Sequence, residues 1–247
     1  MISVSIIAKN EEHNIDRCLQ SVQWADEIIV VDSGSTDQTL EICKTHNCII
    51  IKTPWLGFGK TKQIGINAAQ NDWVFSIDAD EEVSKELQSN ILSIVKRAEH
   101  QAFDIKRISY YLKKQINHSG WQTDYPLRLF NKQYGNFNDA IVHEAVIMQD
   151  RSLSRIEMPI YHHPFPDINT HIKKINHYAQ LGAQILFKNG KNTSLSYAIF
   201  SGIVKFIKMY LIKRGFLDGK EGLVLAILSG FSSTLKYLKL WSLWRTK

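Results

Sequence analysis

Short apolar runs alternate with helical periodicities along the first hundred residues of the chain. The runs are rich in Ile and Val and hardly alternate with polar residues, as is typical of strands buried on both faces of a sheet. They lie at residues 4–8, 28–31, 48–51 and 73–77, and apolar residues at helical spacing occupy 15–22, 37–46 and 60–69. Because strand–helix–strand repeats require right-handed crossovers, the pattern predicts an α/β fold with a mainly parallel, Rossmann-like sheet flanked by helices.

The pattern changes after this region. A helix is predicted over 84–100 with Ser84 as its N-cap, followed by shorter strands and loops over 103–165. Three more helices are predicted at 168–188, 194–214 and 220–244, with glycine-containing breaks between them. We therefore predict two domains, an α/β domain over 1–166 and a helical appendage over 167–247.

Polar segments follow three of the predicted strands at the point where each strand ends. They occupy residues 9–12, 32–37 and 78–82. The carboxyl ends of parallel strands meet at one edge of a sheet, and ligands of open α/β sheets bind there. We therefore expect these segments to form one site.

Asp78-Ala79-Asp80 is the strongest chemical signal at this edge. Two carboxylates two residues apart after a strand can both face one divalent ion, and Mg²⁺ or Mn²⁺ prefers such oxygen ligands. The ion would neutralise charge on a departing nucleotide diphosphate. Because the motif continues into Glu81 and Glu82, the structural alternative is a solvated acidic turn or the N-terminus of a helix.

Four further residues are candidates for contacts with a nucleotide. Asp32 lies at the tip of the second strand, where it is expected to contact a nucleobase or ribose. Asn10 and Glu12, at the end of the first strand, are expected to serve the nucleotide similarly, and Lys62 is expected to reach a phosphate. The alternatives are capping of the next helix by the turn after Asp32, and a solvated helical lysine at position 62.

Three of these segments, in order, resemble the inverting family 2 glycosyltransferases of the GT-A fold. They are Ser5-Ile6-Ile7-Ala8-Lys9-Asn10-Glu11-Glu12, Val30-Val31-Asp32-Ser33-Gly34-Ser35-Thr36-Asp37-Gln38-Thr39 and Ile77-Asp78-Ala79-Asp80-Glu81. Shorter segments resemble the bacterial lipopolysaccharide-core β-1,4-glucosyltransferases: Pro126-Leu127-Arg128-Leu129-Phe130, Val142-His143-Glu144 and Gly215-Phe216-Leu217-Asp218-Gly219. The resemblance implies a GT-A fold, a UDP-glucose donor, Mg²⁺ or Mn²⁺, and direct displacement with inversion at the anomeric carbon.

Inversion requires a carboxylate that deprotonates the acceptor hydroxyl. The resemblance places this base after the metal motif, and we predict Glu144, with Asp139 as the alternative and Asp124 as a more remote one. The resemblance also implies catalytic and metal roles for Asp80, shared at the metal with Asp78.

Other residues complete the predicted site. Ala79 is expected to lie against the donor, and Arg128 to pair with the donor diphosphate or an acceptor phosphate, with a surface salt bridge as the alternative for Arg128. His162 and His163 are predicted to be structural, with a contribution to the metal site as the alternative.

Charge separates the two halves of the chain. The net charge is +6, but it is −4 over residues 1–149 and +10 over residues 150–247. Apolar stretches with basic flanks in the tail favour a helix that lies in an anionic membrane surface, with a helix packed on the sheet as the alternative. The longest uncharged stretches in the tail are too short to span a bilayer. Nucleic-acid binding is not predicted, because the tail contains no recognised motif for it.

The sequence thus predicts an enzyme on the cytoplasmic face of the inner membrane, since no signal peptide precedes the first strand. Its predicted reaction moves glucose from UDP-glucose to a lipopolysaccharide inner-core or related lipid-linked glycan acceptor. Two alternatives remain. One is a polyprenyl-phosphate glycosyltransferase of the same fold, which needs no strong base. The other is a non-catalytic scaffold that binds nucleotide sugars at the membrane.

Overall fold

The computed structural model describes residues 1–97, 99–121, 124–140, 144–149 and 152–246. These residues form two compact units. The first contains Met1–Ile108 and Asp124–His162, and the second contains Ser109–Thr123 and His163–Lys247. The segment 109–123 thus belongs with the C-terminal helices, which the sequence pattern did not predict.

The first unit begins with the predicted alternation of strands and helices. Its elements are β1 (Ile2–Ala8), α1 (Ile15–Val22), β2 (Glu27–Asp32), α2 (Thr39–Thr45), β3 (Ile49–Lys52), α3 (Phe58–Ala68), β4 (Trp73–Asp78), β5 (Glu81–Val83) and α4 (Lys85–Arg97). The predicted cap of α4 is present, because Ser84 Oγ accepts a hydrogen bond of 3.2 Å from Leu87 N. Six further strands follow in the described residues, namely β6 (Ala102–Tyr111), β7 (Lys114–Gln115), β8 (Leu127–Asn131), β9 (Gly135–Phe137), β10 (Val146–Met148) and β11 (Leu153–His162), and β6 and β11 are longer than the short strands predicted here. Of these, β7 and the end of β6 belong to the second unit.

The main sheet has the strand order β3-β2-β1-β4-β8-β6-β11-β5. The first four strands pair in parallel, while β8 runs antiparallel to β4 and to β6. β1, β2 and β4 are almost entirely buried, as predicted. The prediction was wrong for β3, whose residues are exposed or half-buried, because β3 is the edge strand and has a neighbour on one side only.

The strand register brings the predicted polar segments to one edge. Ala8 of β1 pairs with Asp32 of β2, and Ile7 of β1 pairs with Asp78 of β4. The last residues of these three strands therefore lie side by side. The residues beneath them, including Val4, Ile6, Val30, Phe75 and Ile77, are fully buried and fix this edge in place.

The second unit is mainly helical. It contains α5 (Ile168–Lys188), α6 (Leu195–Ile207), a π-helical segment at Lys208–Ile212, a 3-10 turn at Gly215–Asp218 and α7 (Gly219–Arg245). α6 and α7 pack closely where two glycines meet, since a Cβ on Gly202 would lie 2.8 Å from the carbonyl oxygen of Gly230. The predicted helices at 168–188, 194–214 and 220–244 are confirmed, apart from the π-helical segment at Lys208–Ile212 that ends the second of them.

The helices of this unit are longer than their uncharged stretches. Leu195–Ile212 and Gly215–Arg245, at 18 and 31 residues, are long and apolar enough to cross a membrane by length and composition alone. The prediction that neither segment is long enough rested on uncharged stretches, whereas the helix runs on through Lys205. Length therefore does not exclude a span.

A buried histidine makes the stability of the second unit depend on pH. The ring of His171 stacks on Phe165 with 3.9 Å between ring centroids, and its Nδ1 lies 2.9 Å from Tyr111 Oη. Burial, together with the charge of Lys174, lowers the pKa of His171 to about 4. The unfolded chain takes up this proton below about pH 6.5, but the folded protein does so only near pH 4, so acidification favours unfolding.

We therefore expect proton uptake by His171 in the unfolded chain to lower the unfolding free energy by about 2–3 kcal/mol as the pH falls from 7 to 4.5. In His171→Gln the unfolding free energy, measured by urea titration at both pH values, should fall less than in the wild type. His177→Gln is the matched control, because His177 is exposed on the same helix. Equal losses in the wild type and His171→Gln would contradict the prediction.

Candidate active site

Lys62 joins the acidic motif to a distant carboxylate. This lysine lies on α3 and its side chain is 2% exposed. Its Nζ lies 2.9 Å from Asp78 Oδ1 and donates a hydrogen bond of 2.7 Å to Glu144 Oε1. The structure thus brings together three residues predicted from the sequence, and Lys62 is not the solvated lysine of the alternative interpretation.

Close packing at the start of α3 supports this arrangement. Gly59 N donates a hydrogen bond of 3.0 Å to the carbonyl oxygen of Ala140. A Cβ at Gly59 would lie 2.0 Å from the carbonyl oxygen of Asn138, so only glycine permits this approach. The chain segment that leads towards Glu144 is therefore seated directly on the helix that carries Lys62.

Arg128 lies beneath the motif as the counter-ion of two carboxylates. It is 4% exposed, and its Nη2 lies 2.6 Å from both Asp78 Oδ2 and Glu81 Oε1. The antiparallel pairing of Phe75 with Leu129 places Arg128 at this end of β4. The surface salt bridge considered for Arg128 is therefore wrong. Its predicted contact with a phosphate remains a prediction.

Glu81 is the central carboxylate of this buried network. Its side chain is fully buried and accepts hydrogen bonds of 2.9 Å from Asp78 N, 2.6 Å from Arg128 and 3.1 Å from Arg107. Arg107 also pairs with Asp124. The structural alternative of a solvated acidic turn is therefore wrong for Glu81, because two arginines from neighbouring strands neutralise it. No local pattern in the sequence indicates this burial, because Arg107 and Arg128 lie 26 and 47 residues further along the chain.

The charges of this network set the protonation of Asp78. Burial raises the pKa of Asp78, but Arg128 and Lys62 outweigh it and hold the pKa well below its usual range. Burial lowers the pKa of Arg128, and Asp78 and Glu81 more than reverse this. Asp78 is therefore ionised, with one cation on each of its two oxygens.

Asp80 faces a different partner. Its Oδ1 lies 3.5 Å from His162 Nε2, at the end of β11. The Asp80 carboxylate would hold Mg²⁺ or Mn²⁺ as an oxygen ligand, and the neighbouring His162 imidazole would be a second ligand. Within the described residues no group of three or more His, Cys, Asp or Glu side chains is arranged to hold a metal. The remaining ligands would therefore come from elsewhere, such as a diphosphate.

Asp32 closes the turn in which it lies. It is 1% exposed, and its carboxylate accepts hydrogen bonds from Gly34 N at 3.0 Å and Ser35 N at 3.1 Å. The positive φ of Gly34, 89°, makes this tight turn possible. The carboxylate of Asp32 is therefore engaged by the turn that follows it, and its contact with the nucleotide remains a prediction.

Asn10 and Glu12 join the turn after β1 to the turn after β2. Asn10 Oδ1 accepts a hydrogen bond of 2.8 Å from Thr36 N, and Glu12 Oε2 accepts one of 3.1 Å from Gln38 N. The two turns therefore form one wall of the sheet edge, in reach of the strand ends at Ala8 and Asp32.

The alternative bases occupy other positions. Asp139 is 70% exposed and accepts a hydrogen bond of 2.9 Å from Gln63. Asp124 pairs with Arg107 rather than with Lys62. His143, which precedes Glu144 in the segment that carries the resemblance, lies outside the described residues. Of these carboxylates, Glu144 is the one that shares a cation with Asp78.

Removing Lys62 leaves two neighbouring carboxylates without their shared cation. We expect Lys62→Met to lower the unfolding free energy by about 1–2 kcal/mol, because Asp78 keeps Arg128 and Glu144 is partly hydrated. Lys60→Met is the matched control on the same helix, since Lys60 is 51% exposed and lies 3.9 Å from its partner Asp139. Urea unfolding of both variants tests this, and equal effects would count against the ion cluster.

A comparison with protein families decides what kind of site this is. The model of "Glycosyl transferase family 2" matches residues 3–154, which include Asp32, Asp78, Asp80 and Glu144. The chain belongs to glycosyl transferase family 2. It is therefore a glycosyltransferase, and the resemblance seen in its sequence motifs is confirmed.

Relatives in this family match the chain over nearly its full length. An uncharacterised glycosyltransferase of Rickettsia typhi is 34% identical over 97% of this chain and 86% of its own length. The lipopolysaccharide core biosynthesis glycosyltransferase LpsC of Rhizobium meliloti is 25% identical over 92% of this chain and 90% of its own length.

A solved structure supports the fold. Glucosyl-3-phosphoglycerate synthase of Mycobacterium tuberculosis superposes with a TM-score of 0.51 at 16% identity, covering 78% of this chain and 82% of that one. The predicted GT-A fold of the family 2 enzymes, a mainly parallel sheet with flanking helices, is confirmed for this chain.

Proposed function

We propose that this family 2 enzyme is a metal-dependent, inverting hexosyltransferase that moves glucose from UDP-glucose to a lipopolysaccharide inner-core or related lipid-linked glycan. One observation carries the proposal. Lys62 binds Asp78 and Glu144 at once, so the acidic motif and the candidate base form a single cluster at the ligand-binding edge of the sheet. LpsC, named for lipopolysaccharide core biosynthesis, supports the acceptor class.

Asp80 and His162 are the residues that would hold Mg²⁺ or Mn²⁺. Both oxygens of Asp78 are occupied by Lys62 and Arg128, so its part in metal binding would be secondary to that of Asp80. The bound ion would neutralise charge on the diphosphate leaving group. A structure of the mycobacterial synthase was determined with Mn²⁺ and UDP, which supports this ion and this nucleotide class.

Glu144 would act as the base. In the transfer step Glu144 would take the proton of the acceptor hydroxyl while the hydroxyl oxygen forms a bond to the anomeric carbon of the donor. The bond from that carbon to the diphosphate breaks on the opposite face, and its electron pair leaves with the nucleotide diphosphate. Lys62 holds Glu144 Oε1, which leaves Oε2 to receive the proton.

The site also orients the donor. Asn10, Glu12 and Asp32 line the strand ends where the nucleotide would lie, and Ala79 lies between the two aspartates of the motif. We place the enzyme on the cytoplasmic face of the inner membrane, bound through its C-terminal helices. Their exposed apolar and basic residues support this location.

A donor screen tests the proposal. Purified enzyme with Mn²⁺ is incubated with UDP-glucose, UDP-galactose, UDP-N-acetylglucosamine or GDP-mannose and with core oligosaccharide or polyprenyl phosphate, and products are identified by mass. We expect transfer of one hexose from UDP-glucose to the core acceptor. Transfer to polyprenyl phosphate alone, or binding of donor with neither transfer nor hydrolysis, would contradict the proposal.

A further inference from the structure

The turn between α6 and α7 exposes apolar and basic side chains next to one another. We call residues 208–220 the basic turn. Its exposed apolar side chains, each between 47 and 71% exposed, are Leu211, Ile212, Phe216 and Leu217. Its exposed cations are Lys208, Lys213, Arg214 and Lys220.

The acidic residues of this region are turned inward or paired. Asp218, 3% exposed, accepts hydrogen bonds from Asn117 N at 3.0 Å, His118 N at 3.1 Å and Ser119 Oγ at 3.0 Å. Glu221 forms an ion pair of 3.1 Å with Lys114. The charge that the basic turn presents to solvent is therefore positive.

Close packing holds this turn in one shape. A Cβ on Gly215 would lie 2.8 Å from the carbonyl oxygen of Met209, and one on Gly222 would lie 2.0 Å from the carbonyl oxygen of Gly215. Asp218 ties the same turn to the segment 117–119. The exposed apolar side chains are thus presented by an ordered backbone, which lowers the entropic cost of binding a partner.

The exposed apolar surface continues along α6. Phe200, Ile203, Val204 and Ile207 recur at helical spacing and are each 40–61% exposed. The opposite side of this helix is buried, with Gly202 against α7. Apolar surface of this extent, bordered by cations, marks an interaction site rather than ordinary scattered exposure.

We propose that the basic turn and this row of α6 form one surface that binds an anionic bilayer, with the apolar side chains in the interface and the cations on lipid phosphates. A second copy of this chain suits the surface less well, because a symmetric contact would bring the cations of both copies together. The proposal deepens the membrane location given above, but it rests on the second unit alone. Vesicle binding without donor or acceptor therefore tests it separately from transfer.

Flotation with vesicles provides the test. The full chain is mixed with vesicles of phosphatidylcholine alone or with phosphatidylglycerol added, and the bound fraction is measured. Each cation near an anionic surface contributes about fivefold to partitioning, so Lys208→Gln/Lys213→Gln/Lys220→Gln should weaken binding about 100-fold. Lys44→Gln/Lys52→Gln/Lys96→Gln removes the same charge from exposed sites of the first unit and should change binding less than about threefold.

Ile212→Asp/Leu217→Asp removes apolar area from the surface and adds negative charge to it, and should reduce binding at least about tenfold without changing the unfolding midpoint, because both side chains are exposed. Equal binding to neutral and anionic vesicles would overturn the proposal, as would an equal loss in the control. A concentration-dependent dimer in sedimentation that Ile212→Asp/Leu217→Asp abolishes, without vesicle binding by the wild type, would assign the surface to a second copy instead.

Discussion

Arg128→Leu should destabilise the first unit by about 3–5 kcal/mol, the cost of leaving buried carboxylates without their partner. Arg128 is buried and serves Asp78 and Glu81 through the same nitrogen. After the substitution Asp78 retains Lys62, while Glu81, fully buried, retains Arg107 and a backbone N–H among the residues that the structure describes. Urea unfolding should show this loss as a shift of the midpoint at an unchanged slope.

Two other variants provide the references against which the loss in Arg128→Leu is compared. Arg155→Leu removes an arginine that is 57% exposed and 3.9 Å from Asp104, so it should cost no more than about 1 kcal/mol. Arg128→Lys keeps the charge but lacks the planar fork, and should fall between the two. If Arg128→Leu cost no more than Arg155→Leu, the buried network would not exist as described.

Glu144→Gln should lower kcat by about 10²–10⁴-fold, the usual contribution of general acid–base catalysis. Glutamine keeps the shape of the side chain and still accepts a hydrogen bond from Lys62, so donor binding and stability should change little. What is lost is the ability to take the acceptor proton. A loss confined to kcat, with the KM for the donor unchanged, separates this role from a merely structural one.

Asp139→Asn is the control for that substitution, since Asp139 is the exposed alternative. We expect it to retain most of the wild-type rate. A large loss in Asp139→Asn with near-normal rates in Glu144→Gln would move the base to Asp139. Near-normal rates in Glu144→Gln with a lipid phosphate acceptor would instead favour a polyprenyl-phosphate glycosyltransferase.

The sequence pattern predicted the parallel half of the sheet well, because β1, β2 and β4 are mainly apolar runs rich in Ile and Val. It was less successful where neighbours decide burial. The run at β3 reads like the others, but its place at the edge of the sheet exposes Ile49. The segment 109–123 joins the second unit through contacts such as that of Asn117 with Asp218, which lies 101 residues further along the chain.

The sequence predicted some residues of the candidate site and missed others, again according to whether distant neighbours decide their position. Asp78 and Asp80 follow from their place after a buried strand, whereas Glu144 came from a resemblance, since no spacing rule links it to Lys62 82 residues earlier. Glu81 was missed because an acidic run is ordinarily solvated. Its burial depends on Arg107 and Arg128, and only the pairing of distant strands brings these arginines to it.

Metal-dependent transfer centred on Asp80 is tested most directly by removing and restoring the metal. Hexose transfer from UDP-glucose is measured for the wild type and Asp80→Asn in EDTA, and again after excess Mn²⁺ or Mg²⁺ is added. We predict that EDTA abolishes transfer by the wild type, that the metal restores it, and that Asp80→Asn stays inactive in both conditions. Full activity of the wild type in EDTA, or of Asp80→Asn with or without metal, would contradict this mechanism.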